Sequence, residues 1–421
     1  MDSTPMNKKT IYRFFMGLYF LGIIVFAFSP AQAQTDEGLI QRGNASSYRV
    51  YDTTPVILYG PFLLDISETS TTIEWITDTP CQGRVEYGES KQDHDEIPQK
   101  DGLVPVGALH RIEITGLLPG HTYHYRVVST RVMSLKPYYP DKGHSLESSA
   151  YSFTTLDRAR PSISFSVITD THEDVQRIDA LMGMIDWKNT DFLVHEGDGV
   201  NWVENQCQLF DRWLGPLSEG LAHTKPWIYA RGNHEMRGPF ARSLGSYLPS
   251  AEGRYYFTRD DGPVHLIVVD TGEDKPDNNN EYSGLVEEAP YREEEYTWLR
   301  DLFSTDRRMS DAPFRVIVMH QPEWGWLNGE NDKWTELANQ EHVDLVIAGH
   351  LHTFVHIQPG QDNKLPFGRP GQGDNHFPIL VVGQDQVARV DATAKELKVT
   401  VTARNGSVVD SFVVSRSSRE R

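Results

Sequence analysis

The sequence predicts two domains, an all-β sandwich followed by a layered α/β domain, and three observations carry that expectation. At 421 residues the chain exceeds what one hydrophobic core ordinarily organises. Between about residues 51 and 155, apolar residues alternate with period two in short β-branched runs broken by turn residues. Beyond Arg158-Ala159-Arg160-Pro161, near-continuous apolar runs recur with helix-spaced segments between them. That is the pattern of strands buried on both faces.

In chain order, Lys8, Lys9 and Arg13 precede the apolar run 14–28, and Ala31-Gln32-Ala33 follows it. Together they read as a signal peptide, 1–33, cleaved after Ala33 for export to a periplasm or beyond. No cysteine follows for lipid anchoring, and 34–50 reads as a linker. The β domain takes 51–157, with strands expected at 71–77 and 84–88. Leu118-Pro119-Gly120 leads into Tyr123-His124-Tyr125-Arg126-Val127, which looks like the tyrosine corner of a β-sandwich, and 151–155 closes the domain. His110, His121 and His124 read as ordinary strand and turn residues, having no accompanying carboxylate or cysteine.

The α/β domain takes 158–421. Strands are expected at 163–169, 192–194, 227–230, 265–269, 314–319, 343–348 and 379–382, and helices at 175–184 and 291–303. Residues 274–280 form a surface loop, and Asn405-Gly406 turns a closing hairpin.

Charge narrows the function classes. Removing residues 1–33, which hold three basic side chains and one acidic, takes the net charge from −19 to −21. This argues against nucleic-acid or anionic-membrane binding through a general basic surface. A phosphate substrate stays open, because bound metal supplies local positive charge that side chains do not. No run is long enough for a membrane span in the mature chain. Cys81 and Cys207 fall in different domains and read as two unpaired, buried cysteines.

The chemistry gathers where the apolar runs end: Asp170-Thr171-His172, Gly197-Asp198, Gly232-Asn233-His234-Glu235, His320, and Gly349-His350-Leu351-His352. Ligand sites in open α/β sheets collect at the carboxyl ends of strands. Each cluster alone is weak, since Gly-Asp is common in turns and a single strand-end histidine is usually a satisfied polar group. Five in order, each at a strand exit, point to a shared site. Two aspartates, an asparagine and several histidines form a borderline nitrogen–oxygen donor set. It suits two divalent or mixed-valence ions of Fe, Mn or Zn better than Ca²⁺.

The order D-x-H, G-D, G-N-H-E, H, G-H-x-H resembles the calcineurin-like metallophosphoesterases over roughly 162–385. The resemblance implies a four-layered α/β/β/α sandwich. By position, Asp170, His172 and His352 would hold one metal, Asn233, His320 and His350 the other, and Asp198 would bridge them. His234 would be the family's catalytic histidine that ligates no metal, acting on the leaving group. The implied reaction is attack of a metal-bridging hydroxide on the phosphorus of a small phosphorylated substrate. Glu235 is expected either to orient His234 or to take a surface or capping role, and Asn201 to support His234 from outside the metals.

The β domain resembles a fibronectin type III module, and the two-domain layout is similar to purple acid phosphatases. Those enzymes carry D-x-G and an iron-binding tyrosine three residues after the Gly-Asp aspartate. Here His172 and Asn201 occupy those positions, one ligand gained for one lost. The protein serine/threonine phosphatases are a poorer fit, because Asn201-Trp202 replace their Asp-Arg and with it the phosphate-gripping arginine. A phosphomonoesterase is favoured slightly over a phosphodiesterase. An adhesion or glycan-binding protein with an inert scaffold would be expected to lack ligands, yet every matching position is intact. Trp202, Trp324 and Trp326 are candidates to wall a pocket, His195 is a strand-end polar group, and His356 is either core or an outer partner of the site.

Overall fold

The structure, a computed structural model, describes residues 52–221, 223–248, 253–322, 331–360 and 375–416. The expected signal peptide, the linker, Trp324 and Trp326 lie outside the described residues.

Seven strands form the N-terminal β unit: β1 (Ile57–Leu64), β2 (Ser70–Gly88), β3 (His94–Glu96), β4 (Gly107–Thr115), β5 (Thr122–Ser134), β6 (Asp141–Glu147) and β7 (Tyr151–Thr154). The runs expected as separate strands at 71–77 and 84–88 are one strand, β2. Its first half pairs with β1 and β4, and its second half, from Cys81, with β5. Pro80 has no N–H for a ladder, and the β2–β4 register shifts between Ile76 and Cys81. One long strand thereby serves two layers, which close on Ile73, Trp75, Val85, Ile114, Tyr125 and Phe153. The tyrosine corner is present, with Leu118 N–H donating to the Tyr123 hydroxyl at 3.0 Å.

Two six-stranded sheets follow. The first is ordered β10-β9-β8-β17-β18-β19: β8 (Ser162–Ile168), β9 (Phe192–His195) and β10 (Trp227–Tyr229) run parallel, and β17 (Gln386–Thr393), β18 (Glu396–Ala403) and β19 (Val408–Ser415) continue antiparallel. The second is β11-β12-β13-β14-β16-β15: β12 (Val264–Val268), β13 (Phe314–Val318), β14 (Leu345–Ala348) and β16 (Ile379–Val381) are parallel, and β11 (Phe257–Asp261) and β15 (Val355–Ile357) are antiparallel edges.

Alternation along these strands dictates the layers. Phe165, Val167, Phe192 and Val194 pack against Leu266, Val268, Val316, Val318 and Ile347 in a seam between the sheets. Their neighbours point outward. Ile168 and Leu193 meet helix α1 (Val175–Met184), while Ile317, Val346 and Val381 meet α2 (Glu288–Thr305) and α3 (Asn331–Gln340). The result is the four-layered α/β/β/α sandwich. Helix α1 starts where expected because Asp174 caps it, accepting from Arg177 N–H at 3.0 Å. Helix α2 starts earlier than expected, because Pro290 sits in its first turn, where a missing N–H costs nothing. Asp277 in the loop before it accepts from the N–H groups of Glu288 and Ala289.

The β unit is packed against the α/β unit. Phe62 and Leu64 share a cluster with Phe210 and Trp213, and Tyr125 donates to the His223 carbonyl at 2.7 Å.

Candidate metal centre

The exits of β8, β9, β10, β13 and β14 converge, and the turns that make them do so are unusual. Asp170, His172, Asp198, His350 and His352 all have left-handed backbones, with φ between 47° and 69°. Non-glycine residues rarely adopt this conformation, and such outliers cluster at functional sites. Backbone bonds hold the turns together: Asp170 N–H to Gly197 O at 3.1 Å, His172 N–H to Asp198 O at 2.9 Å, and Gly349 N–H to His320 O at 2.9 Å. Gly197, at φ +81°, must be glycine, since a Cβ there would lie 2.4 Å from Gly232 N. A Cβ on Gly199 would run into the Trp213 ring.

Two donor groups result. Asp170, His172, Asp198 and His352 form one, and Asp198, His320 and His350 the other, with the ligand atoms of each within 4.8 Å of one another. Asp198 belongs to both. Its Oδ2 lies 3.1 Å from His320 Nε2 and 3.8 Å from Nε2 of both His172 and His234. Asn233, which is buried, places Oδ1 3.1 Å from His320 Nε2. Asp170 Oδ1 is buried, without a hydrogen bond, 3.3 Å from His352 Nε2, and the His172 and His352 Nε2 atoms are 2.9 Å apart.

Asp170, Asp198 and His320 are buried, whereas the side chains of His234 and His352 are 27 % and 46 % exposed. The site is therefore closed at its base and open toward His352 and His234.

Burial pushes the Asp198 carboxyl up, but His320, His234 and His172 together hold it well below the usual range. Burial works against a charged His320, yet Asp198 and Asp170 push it up to about 10. Two buried carboxylates thus create a field that retains a proton where nothing stronger neutralises them. A divalent cation satisfies the same field. With an orphaned carboxylate oxygen and imidazole nitrogens crowded within 3 to 4 Å, the donor set fits a pair of such cations.

Several expectations change here. Glu235 neither orients His234 nor lies at the surface. It is buried, and its carboxylate accepts from the N–H groups of Asp198 (2.9 Å), Gly199 (2.7 Å), Val200 (3.2 Å) and Gly232 (2.9 Å). Both loops turn their N–H groups inward at this point, and the carboxylate gathers them. Asn201 does contact His234, but through its backbone carbonyl, 2.7 Å from Nδ1, while its side chain reaches His172 O at 3.4 Å. Cys81 is buried as expected, but Cys207 is exposed on a short helical turn. His195 is a fully buried strand-end group, bonded to Trp213 Nε1 at 3.2 Å, and burial pushes it down to about 3. His356 pairs with Asp410 and stacks on Phe412. Trp202 is exposed and bonds Glu204.

Sequence reasoning missed Arg237. Its Nη1 lies 3.2 Å from His234 Nε2, and a carboxylate pair anchors it from behind. In the sequence it is one more arginine in a loop.

Comparison with known proteins fits this geometry. Residues 163–354 match the family model for calcineurin-like phosphoesterases. Purple acid phosphatase 21 of Arabidopsis thaliana is 28% identical over 309 residues, covering 66% of this chain and 62% of the relative. The chain thus spans under two thirds of that relative's length. Among solved structures, a purple acid phosphatase from yellow lupin (Lupinus luteus) seeds superposes with a TM-score of 0.62 at 16% identity, over 87% of this chain and 75% of that one. PhoD superposes at 0.58 and 13% identity, over 85% and 90%. At these identities the structural likeness is one of fold.

Proposed function

Since the chain carries a calcineurin-like metallophosphoesterase domain, we propose that the protein is an exported, binuclear metal-dependent phosphoesterase that hydrolyses small phosphate esters, monoesters in preference to diesters. The observation that carries this reading is the shared place of Asp198 in two adjoining donor groups. Asp170, His172 and His352 would hold one cation and Asn233, His320 and His350 the other, with Asp198 between them. When bound, such a pair of cations makes a water nucleophilic near neutral pH and withdraws charge from the phosphoryl oxygens.

The chain's own residues do the rest. Glu235 and the inward N–H groups fix the Asp198 turn, so its carboxylate need not reorganise when substrate arrives. His234 is steered by the Asn201 carbonyl, which can only accept and therefore places the ring proton on Nδ1. Its Nε2 faces the site, 3.8 Å from Asp198 Oδ2; in the neutral ring it accepts from Arg237, and only with a second proton would it donate to the leaving oxygen. Export rests on the 1–33 signal reading, and the layout of a β unit before the catalytic domain supports monoesters.

The test is hydrolysis of p-nitrophenyl phosphate and its bis ester, before and after chelation and after re-addition of Mn²⁺, Zn²⁺ or Fe²⁺. Activity confined to the metal-loaded protein and greater on the monoester is expected. Undiminished activity after complete metal removal refutes the metal role, and greater activity on the bis ester reverses the substrate preference. N-terminal mass analysis of the exported protein, expected to begin at Gln34, tests the cleavage.

A further inference from the structure

Three residues beyond His234, the chain brings Arg237 back against that ring. The main chain is fixed there, because Val203 N–H donates to Arg237 O at 2.8 Å. The guanidinium is fixed as firmly. Its Nε bonds Glu273 Oε1 at 2.9 Å, and its Nη2 bonds Glu273 Oε2 at 2.7 Å and Asp274 Oδ1 at 2.8 Å. Glu273 is itself buried and held by the Tyr282 hydroxyl at 3.0 Å.

These bonds use the back of the fork and leave Nη1 at the front. One Nη1–H points to His234 Nε2 at 3.2 Å. The other has no hydrogen-bond partner among the described residues. Lys275 also pairs with Asp274 and with Glu281, so the cluster carries no surplus positive charge. Arg237 therefore offers direction rather than surplus charge: a rigid donor edge, partly exposed, beside the ring that faces Asp198. A planar guanidinium with its rear donors committed is suited to grip a tetrahedral oxyanion.

We propose that Arg237 anchors the phosphoryl group of the substrate through Nη1, next to His234, and supplies the grip that Asn201-Trp202 cannot. The assignment rests on the phosphoesterase reading and names the substrate-binding group of that site. Glu273 and Asp274 are positioning residues that hold Arg237.

Orthophosphate binding to the Mn²⁺-loaded protein, measured by calorimetry, tests the anchor without turnover. In Arg237→Ala the phosphate affinity is expected to fall about 10- to 100-fold, the range set by one charge-assisted hydrogen bond. KM for p-nitrophenyl phosphate should rise with a smaller change in kcat, and metal content should stay at the wild-type level. Arg237→Lys should recover part of the affinity. If the alanine variant does not fold, the neutral and longer Arg237→Gln carries the same test. Wild-type phosphate affinity in either neutral variant overturns the anchor and leaves the hydrolase reading intact. Loss of metal from a folded neutral variant also overturns it, by assigning Arg237 to the metal centre. A wild-type protein that hydrolyses neither ester and binds no phosphate removes the hydrolase reading and the anchor together.

Discussion

Glu235 supports Asp198 through the backbone: its Oε2 accepts the Asp198 N–H at 2.9 Å, while Asp198 Oδ2 lies 3.1 Å from His320 Nε2. The carboxylate also gathers three other buried N–H groups. Each donor left unsatisfied costs about 1–3 kcal/mol. Glu235→Ala is therefore expected to lose several kcal/mol of stability together with metal content, and Glu235→Gln, which keeps one acceptor oxygen, to fall between. Denaturant unfolding with parallel metal analysis checks this. An alanine variant as stable and as metal-rich as the wild type would contradict it.

Asp198 sits in both donor groups, so its loss should be felt by both. Asp198→Ala is expected to drop the metal stoichiometry below two per chain. Its activity loss should exceed the roughly 10–100-fold typical of residues that merely support ligands. Elemental analysis of the purified variant decides, and full metal content would refute the shared role.

His110 links stability to acid, far from the metal centre. It stacks on Trp75 with centroids 4.8 Å apart and meets Thr77 Oγ1 at 3.1 Å, and burial pushes its pKa down to about 4. A histidine whose folded pKa is depressed is bound by fewer protons when folded than when unfolded. Stability is then fully present above the unfolded value near 6.5 and is lost as pH falls from there to about 4, by on the order of 3 kcal/mol. His110→Gln should remove that share of the acid sensitivity between pH 6.5 and 4. Parallel unfolding curves for wild type and variant across this interval would sink the account.

In the resemblance drawn from the sequence, Asn201 falls where purple acid phosphatases carry their iron-binding tyrosine, and among the described residues its side-chain amide donates to the His172 carbonyl. The iron-loaded protein is therefore expected to lack a strong visible charge-transfer band. A visible absorption spectrum is sufficient, and an intense purple species would overturn the assignment.

Much of this was legible along the chain because buried parallel strands show themselves as unbroken apolar runs, and the donors occur where those runs stop. Asp170, Asp198 and His320 stood out as candidates only when the five strand-end clusters were taken together, and their metal roles only through the family resemblance. Three things were not legible. The joining of 71–77 with 84–88 depends on which neighbours β2 meets on each side, which local pattern does not encode. Glu235 looked like a companion of His234 because they are adjacent, yet adjacent side chains diverge, and its partners are N–H groups up to 37 residues away. Arg237 depends on Glu273, which is distant in sequence and approaches through the turn before α2.

The two sheets meet along a seam of interdigitated apolar side chains, and at its end the turns are tied across the seam, His320 Nδ1 to the Glu196 carbonyl at 2.6 Å and the His350 N–H to Asp170 Oδ2 at 3.0 Å. Asp170, Asp198 and Asn233 leave one sheet, and His320, His350 and His352 leave the other. Cations held among them would act as a further clasp on the lateral offset, and a slip of about an ångström between sheets would scatter the donors. The candidate centre would thus gauge the alignment of the two sheets, adding to the ties that their turns already make.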